Sequence, residues 1–240
     1  DDLSINPHGL MHEGIVSTRM GVPGKPVMAE ELMIARDIKL TRYAGSRMHF
    51  TAVTSPKSLE YIGRAKAAGT AISCSVTPAH LFFSDEDLEE YDTNLKLNPP
   101  LRDTEMRDAL RQSLREGKID CIATHHMPHE FDSKVREFEY AQFGMIGLET
   151  AFAALQTAVP GLPPAQWADL LAVNPRKIFG LPPATILEGA TACITLFQPN
   201  ESWNVDEHSF KSQAANSPFT GRTLTGKVTG IVTGQKTVLN

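Results

Sequence analysis

An α/β fold built on a parallel sheet or a (β/α) barrel is the class that the 240-residue chain predicts, and two regularities predict it. Short apolar runs rich in Val, Ile, Thr and Cys alternate with stretches of helical period, separated by brief turns at Gly or Ser-Pro. Three histidines, His125, His126 and His129, follow directly on one such run. The carboxyl end of a parallel strand is where α/β proteins place their chemistry, and histidine is both a common metal ligand and a proton carrier near neutral pH.

Residues 1–26 carry Gly9, Gly14, Gly21 and Gly24 with Pro7, Pro23 and Pro26, the composition of a long loop in which His8 and His12 are expected to be solvated. From Val27 to Ala44, Met28, Leu32, Ala35 and Ile38 share one helical face, and Gly45 supplies the stop. Residues 47–53 read as a strand. Ser55-Pro56 is the N-cap and first turn of a helix with the stripe Leu59, Ile62 and Ala65, ended by Gly69. Residues 70–76 form a second expected strand, and Asn94 to Leu97 a short third one before Asn98-Pro99-Pro100. Asp103 caps a helix carrying Met106, Leu110 and Leu114, closed by Gly117. Residues 118–124 are the fourth strand, with the histidine cluster at its carboxyl end. Helices are expected at about 148–158 and 164–171, the second stopping before Asn174-Pro175. Beyond Pro182 the helical period disappears, and residues 191–197 and 226–239 favour strands with glycine turns, a small β module. Four strands are too few for a barrel of eight, which typically takes ~250 residues, so the chain is expected to be the latter half of one.

With 41% hydrophobic and 21% charged residues the chain can bury one sizeable core. A net charge of -5 without any Lys/Arg run argues against nucleic acid or an anionic membrane as partner. Cys74, Cys121 and Cys193 sit far apart in apolar runs, as reduced core residues of a cytoplasmic protein would. No apolar stretch approaches the ~20 residues that span a bilayer. The opening Asp1-Asp2-Leu3-Ser4 lacks an initiator Met, which leads us to expect a preceding N-terminal portion. There is no G-x-S-x-G elbow and no Gly-rich phosphate motif, so a Ser/His/Asp hydrolase or a nucleotide binder has little support.

Ala123-Thr-His-His-Met-Pro-His129, followed by Phe138-Glu-Tyr-Ala-Gln-Phe-Gly-Met-Ile-Gly-Leu-Glu-Thr150, closely resembles the last barrel strand and loop of the class I dihydroorotases of the amidohydrolase superfamily. That family writes A-T-D-H-A-P-H and P-F-E-x-A-P-F-G-x-x-G-L-E-T. Residues 29–37, Asp92-Thr-Asn-Leu-Lys-Leu-Asn-Pro-Pro-Leu-Arg102 and Asn216-Ser-Pro-Phe-Thr-Gly221 match further family segments in the same order. The resemblance implies a partial (β/α)8 amidohydrolase barrel over residues 1–181, with its N-terminal strands missing, and a small C-terminal β-sandwich module over residues 182–240. The family's H-x-H-x-R motif, which supplies zinc ligands and a substrate-binding Arg, does not occur here.

In that family zinc activates water and polarises a cyclic amide while a carboxylate handles the proton. The resemblance puts His125 where the family has that catalytic Asp, and Ala52 where it has a zinc-binding His. An imidazole can bind zinc or accept a proton but lacks the negative charge, and a methyl group offers a metal no lone pair. His49 matches a non-ligand His and is expected on the opposite strand face. The substrate side is better kept: Asn98 falls on the substrate-contacting Asn, His129 on the His that meets the substrate carboxylate, and Phe143 and Gly144 on the segment offering backbone groups to the ring. His126 is expected to pack or hydrogen-bond, and His80 and His208 to be structural or exposed. The resemblance therefore implies a dihydroorotase-like protein of pyrimidine biosynthesis with impaired zinc chemistry, in the extreme a noncatalytic homodimeric scaffold for aspartate transcarbamoylase. The alternative is an active zinc-dependent cyclic amidohydrolase opening dihydroorotate to carbamoyl aspartate with a rearranged ligand set.

Overall fold

The computed structural model describes residues 1, 2 and 4–239; Leu3, in the expected opening loop, and Asn240, at the end of the expected β module, lie outside the described residues. Residues 1–26 are more ordered than a loop. Strands β1 (Met11–His12) and β2 (Gly24–Lys25) pair in parallel around helix α1 (Ile15–Met20). Gly24 permits the approach, since a Cβ there would lie 2.6 Å from Glu13 Cα. His12 is accordingly buried, with Nε2 3.6 Å from the Asp103 carboxylate, and not solvated as the loop composition suggested. His8 is exposed.

Helix α2 (Met28–Ala44) ends at Gly45, whose φ of 58° is the left-handed stop the sequence indicates. Its buried face is rotated from the expected stripe: Glu30, Ile34, Ile38 and Thr41 point inward, while Met28 and Leu32 are exposed. The Glu30 carboxylate accepts the Thr54 and Ser55 amides, and those charge-assisted bonds decide which side faces the protein.

Strand β3 (Met48–Phe50), helix α3 (Pro56–Ala67), strand β4 (Ile72–Val76) and helix α4 (Pro78–Phe82) follow. Ser55 caps α3, its Oγ accepting the Lys57 amide at 3.2 Å, and Leu59, Ile62 and Ala65 are buried as expected. The expected strand at 94–97 is instead a 3-10 turn, Thr93–Leu95, because the Asp92 carboxylate takes the Asn94 amide at 2.9 Å and closes the chain on itself. Helix α5 (Thr104–Arg115) starts at the Asp103 cap, whose Oδ1 accepts the Met106 amide at 2.8 Å. Strand β5 (Cys121–Ile122) is short, and helix α6 (Phe131–Lys134) lies beyond the histidine cluster.

Helices α7 (Ala151–Ala158) and α8 (Pro164–Ala168) come next, but the chain does not stop before Asn174-Pro175. A π-helical turn, Asp169–Val173, leads straight into helix α9 (Asn174–Phe179). That turn puts Pro175 in the first turn of α9, where its missing N–H is not needed. Strands β6 (Cys193–Asn204), β7 (Thr223–Thr233) and β8 (Lys236–Leu239) form one antiparallel sheet, so among the described residues the expected β module is a single three-stranded sheet and no second sheet packs on it as a sandwich. Cys193 is exposed at its edge, whereas Cys74 and Cys121 are buried free thiols.

The order β3-β4-β5, parallel throughout, makes this an α/β fold, with strand ends converging at residues 51–55, 77–80 and 123–129. One core, including Ile34, Leu59, Val76, Leu114 and Leu155, packs helices onto that sheet. A second, including Met11, Phe83, Leu101, Ile146 and Phe219, joins the opening segment to the strand-end loops. Together they fix the loops that carry the histidines. Among the described residues no helix is long and apolar enough to cross a membrane.

Candidate active-site cleft

After β3 the chain turns at Ala52, which is buried and has a φ of 53°. Alanine gains nothing by itself in the left-handed region, so the surroundings impose it. Val53 N–H donates to Ser75 O at 2.9 Å, and the next two amides bind Glu30. After β5 the chain makes a similar turn at His125, with a φ of 46°. The His125 Nε2 lies 3.2 Å from the Thr51 hydroxyl, and burial pushes its pKa down. The two positions that the sequence singled out as lost metal or proton-transfer groups therefore sit at the ends of the two strands flanking β4.

Two of the neighbouring imidazoles, His80 and His126, have their tautomers set by their partners. His80 Nε2 faces Pro99 O at 3.0 Å, and a carbonyl only accepts, so Nε2 carries the proton and Nδ1 takes the Thr77 hydroxyl at 2.6 Å. His126 Nδ1 accepts the Gly147 and Leu148 amides at 3.1 and 3.3 Å, the hydrogen-bonding role expected for it. His49 is held by Ser73 and Ser75 at 2.8 and 3.1 Å. His208 is exposed.

Burial holds the His80 pKa down at about 4, and burial followed by the Asp103 and Glu86 carboxylates pushes Asp85 up to about 6. The signs oppose. Between the ordinary histidine value of 6.5 and 4 the unfolded chain takes up a proton at residue 80 while the folded one does not, so stability falls as pH falls. Between 6 and 3.8 the folded Asp85 takes up its proton first, so stability rises as pH falls. Each effect is of order ~3 kcal/mol and the two largely cancel. Asp85→Asn is expected to uncover the histidine, losing ~3 kcal/mol more than wild type in urea unfolding between pH 6.5 and 4. Parallel pH profiles for the two proteins would refute it.

Asn98, exposed at the rim, accepts Lys25 Nζ on its side-chain oxygen at 2.9 Å. With Thr77, His80, His125, Met127 and Gly144 it lines a narrow cleft whose free space, about 20 Å³, suits one water. His129 is elsewhere. It borders a larger cavity of about 870 Å³ with Asn94, Glu130, Lys134, Gln213 and Asn216. The larger volume contains none of His80, Asn98 or His125, so the narrow cleft at the strand ends is the better candidate for chemistry. Asn216 joins the two, its side-chain amide donating to Met127 O at 3.0 Å and Gly144 O at 3.4 Å.

The backbone groups expected to face a ring are already engaged. Gly144 N–H donates to Lys96 O at 2.9 Å, Gly144 O accepts Lys134 Nζ at 2.9 Å, and Phe143 O accepts His129 Nε2 at 2.9 Å. What Gly144 offers the cleft is the space left by its missing side chain.

Zinc does not fit the residues present. Among the described residues no group of three or more His, Cys, Asp or Glu side chains is arranged to hold a metal. Of the nearby imidazoles, His80 and His49 have both nitrogens engaged, while His126 has its Nδ1 and His125 its Nε2 engaged, which leaves one ring nitrogen on each of the last two and a methyl group at Ala52. A structural zinc takes four such donors and a catalytic one three.

Sequence reasoning overlooked Thr51, Lys25, Lys96 and Lys134. Lys96 had a legible signal, a lysine between Leu95 and Leu97 in an apolar run; Thr51 and Lys25 had none, since their partners His125 and Asn98 lie more than 70 positions away, and Lys134 had none because its partners, Gln142 and Gly144, offer only backbone carbonyls.

No protein-family model matches the chain. A dihydroorotase of Syntrophus aciditrophicus is 41% identical over 230 residues, 95% of this chain and 54% of the relative. Another, of Pelotomaculum thermopropionicum, is 41% identical over 242 residues, 100% of this chain and 57% of the relative. The chain thus spans little more than half the length of the curated relatives it matches. Among solved structures, the L-hydantoinase (dihydropyrimidinase) from Arthrobacter aurescens superposes with a TM-score of 0.84 at 27% identity, over 90% of this chain and 50% of that one.

Proposed function

We propose, from the premise that this chain is a homologue of the dihydroorotases along its whole length, that it serves pyrimidine biosynthesis as a dihydroorotase-like protein with impaired zinc chemistry. The observation that carries the reading is the pair Ala52 and His125, which place a methyl group and a neutral imidazole at the ends of β3 and β5. Neither supplies the negative charge that ring opening draws on, and loss of a positioned general base costs ~10²–10⁴ in rate.

On this reading residues 1–181 are a portion of a (β/α)8 barrel and 182–240 a small β module, a division supported by the change from parallel to antiparallel pairing. A dihydroorotate-like ring enters only as the Met127 wall moves aside, because the free space of about 20 Å³ holds one water as it stands, and the ring is not opened efficiently. Asn98 contacts the ring, and His129 meets its carboxylate once Met127 moves aside. The protein acts in the cytoplasm as a homodimeric, noncatalytic scaffold for aspartate transcarbamoylase. A second reading, an active zinc-dependent cyclic amidohydrolase with a rearranged ligand set, is favoured by one feature: Asn98, His125 and Gly144 line the same cleft.

Metal analysis of the purified protein combined with turnover of dihydroorotate tests both. The expected result is substoichiometric zinc and hydrolysis at least ~10²-fold below that of a dihydroorotase with the full carboxylate and ligand set. Stoichiometric zinc with efficient hydrolysis would establish the second reading, and failure to associate with aspartate transcarbamoylase would remove the scaffold role.

A further inference from the structure

The segment 137–144, between α6 and α7, has neither helix nor strand to satisfy its carbonyl groups, yet nearly all of them are bonded. Lys96 Nζ donates to Phe138 O at 2.7 Å, Glu139 O at 2.9 Å and Ala141 O at 2.8 Å. Those bonds use all three N–H groups of the ammonium. Lys134 Nζ donates to Gln142 O at 2.7 Å and Gly144 O at 2.9 Å. Phe143 O, between them, takes His129 Nε2, and Glu137 O takes the Tyr140 and Ala141 amides. The Phe143 and Phe138 rings also face Lys96 Nζ, with centroids at 4.6 and 5.5 Å.

Lys96 is 2% exposed and Lys134 5%. A lysine so deeply buried normally keeps its charge only where something compensates it. Here the compensation is a cage of carbonyl dipoles from one loop, so each ammonium serves as a fixed cation around which the loop folds. Burial draws the Lys134 pKa down to about 8, which leaves it mostly charged at neutral pH.

We propose that Lys96 and Lys134 are positioning residues: their ammonium groups gather the loop 137–144 and so set both the Gly144 wall of the cleft and the orientation of the His129 ring for the ligand. The link to the cleft is direct. Lys96 holds Gly144 through its own backbone oxygen as well, and Lys134 holds the Gly144 carbonyl. Phe143 O can only accept, so it requires the proton of His129 on Nε2 and leaves Nδ1 as the acceptor of the ring. A loop released from the lysines would free this ring and let Met127 and Gly144 shift together.

The inference rests on the functional reading only for the identity of the ligand, a dihydroorotate-like ring. Its test uses the full chain and the variants Lys134→Met and Lys96→Met, with three readouts: amide hydrogen exchange of 137–144, the imidazole ¹⁵N shifts of His129, and calorimetric affinity for dihydroorotate. Lys134→Met is the milder change, and it keeps the test open should Lys96→Met fail to fold. The expected result is exchange of the 142–144 amides faster by about tenfold, loss of the Nε2–H signature of His129, and dihydroorotate affinity lower by about tenfold, with amide protection in β3 and β4 retained. Unchanged exchange and an unchanged His129 signature would overturn the proposal, as would a loosened loop with undiminished affinity. Wild-type protein that binds no dihydroorotate would remove the functional reading, while exchange and the His129 signature still decide whether the lysines position the loop.

Discussion

Arg102→Met is expected to cost ~3–5 kcal/mol of folding stability, because it leaves the buried Glu30 carboxylate without its counter-charge, whereas Asp1 keeps Lys25 Nζ at 3.5 Å. The Arg102 side chain is 1% exposed, and around it lie the side chains of Glu30 at 6% and Asp1 at 2%. Its Nη2 is 3.7 Å from Glu30 and 4.0 Å from Asp1, its Nε donates to the Thr54 hydroxyl at 2.9 Å, and its Nη1 reaches Lys25 O at 3.4 Å. The Asp1 oxygens and Arg102 Nη2 are buried without a hydrogen bond, so charge compensation across these distances is what makes their burial tolerable. Methionine fills similar volume and restores none of it. Urea unfolding of the variant measures the loss, and a loss below ~1 kcal/mol would show the cluster to be hydrated or neutral. Arg102→Met combined with Glu30→Gln should cost less than the sum of the two single changes, because the second removes the charge stranded by the first. The consequence reaches the cleft, since Glu30 is the group that holds the Ala52 turn.

Gly144→Ala is the second large effect expected, at ~3 kcal/mol, and it has two separable causes. The φ of 117° lies where residues with a Cβ are strained, and the added Cβ would sit 2.6 Å from Met127 Cβ and 2.9 Å from its sulfur. A contact with a Cβ cannot be relieved by turning the long side chain, so backbone must move on one side of the cleft. Met127→Ala keeps that Cβ but removes the sulfur, so in the double variant it should return only the part of the loss due to the outer contact. Equal stability of Gly144→Ala and wild type in thermal unfolding would show that the cleft wall is soft. On the proposed reading the same substitution should weaken ring binding, because a Cβ at 144 would lie 2.6 Å from Met127 Cβ, on the wall that must move for the cleft to grow beyond about 20 Å³.

The legible parts of the fold were those with a local cause. Ser55-Pro56 and Asp103 begin helices by binding amides within three residues of themselves, and Gly45 and Gly117 end them at a φ of 58° and 70°. The illegible parts had distant causes. Residues 94–97 alternate like a strand, but Asp92 closes them into a turn and Lys96 aims at carbonyls more than 40 positions away, the bond to Phe138 O spanning 42. The stripe of α2 pointed outward at Met28 and Leu32 because two amides at 54 and 55 pulled Glu30 in.

The candidate site divides the same way. Sequence alone carried the resemblance, the strand ends, and the residue types there, an Ala and a His at the two positions where the resembled family has a His and an Asp. Residue types follow from the chain itself, and no tertiary contact can give Ala52 a lone pair. Only the tertiary structure decided that His129 borders a separate cavity, that the Phe143 and Gly144 backbone is already bonded, and that two buried lysines and an Arg–Glu cluster hold the loops. Those arrangements depend on desolvated charges finding partners far along the chain, and the strength of such a partnership is set by burial, which exists only after the chain has folded.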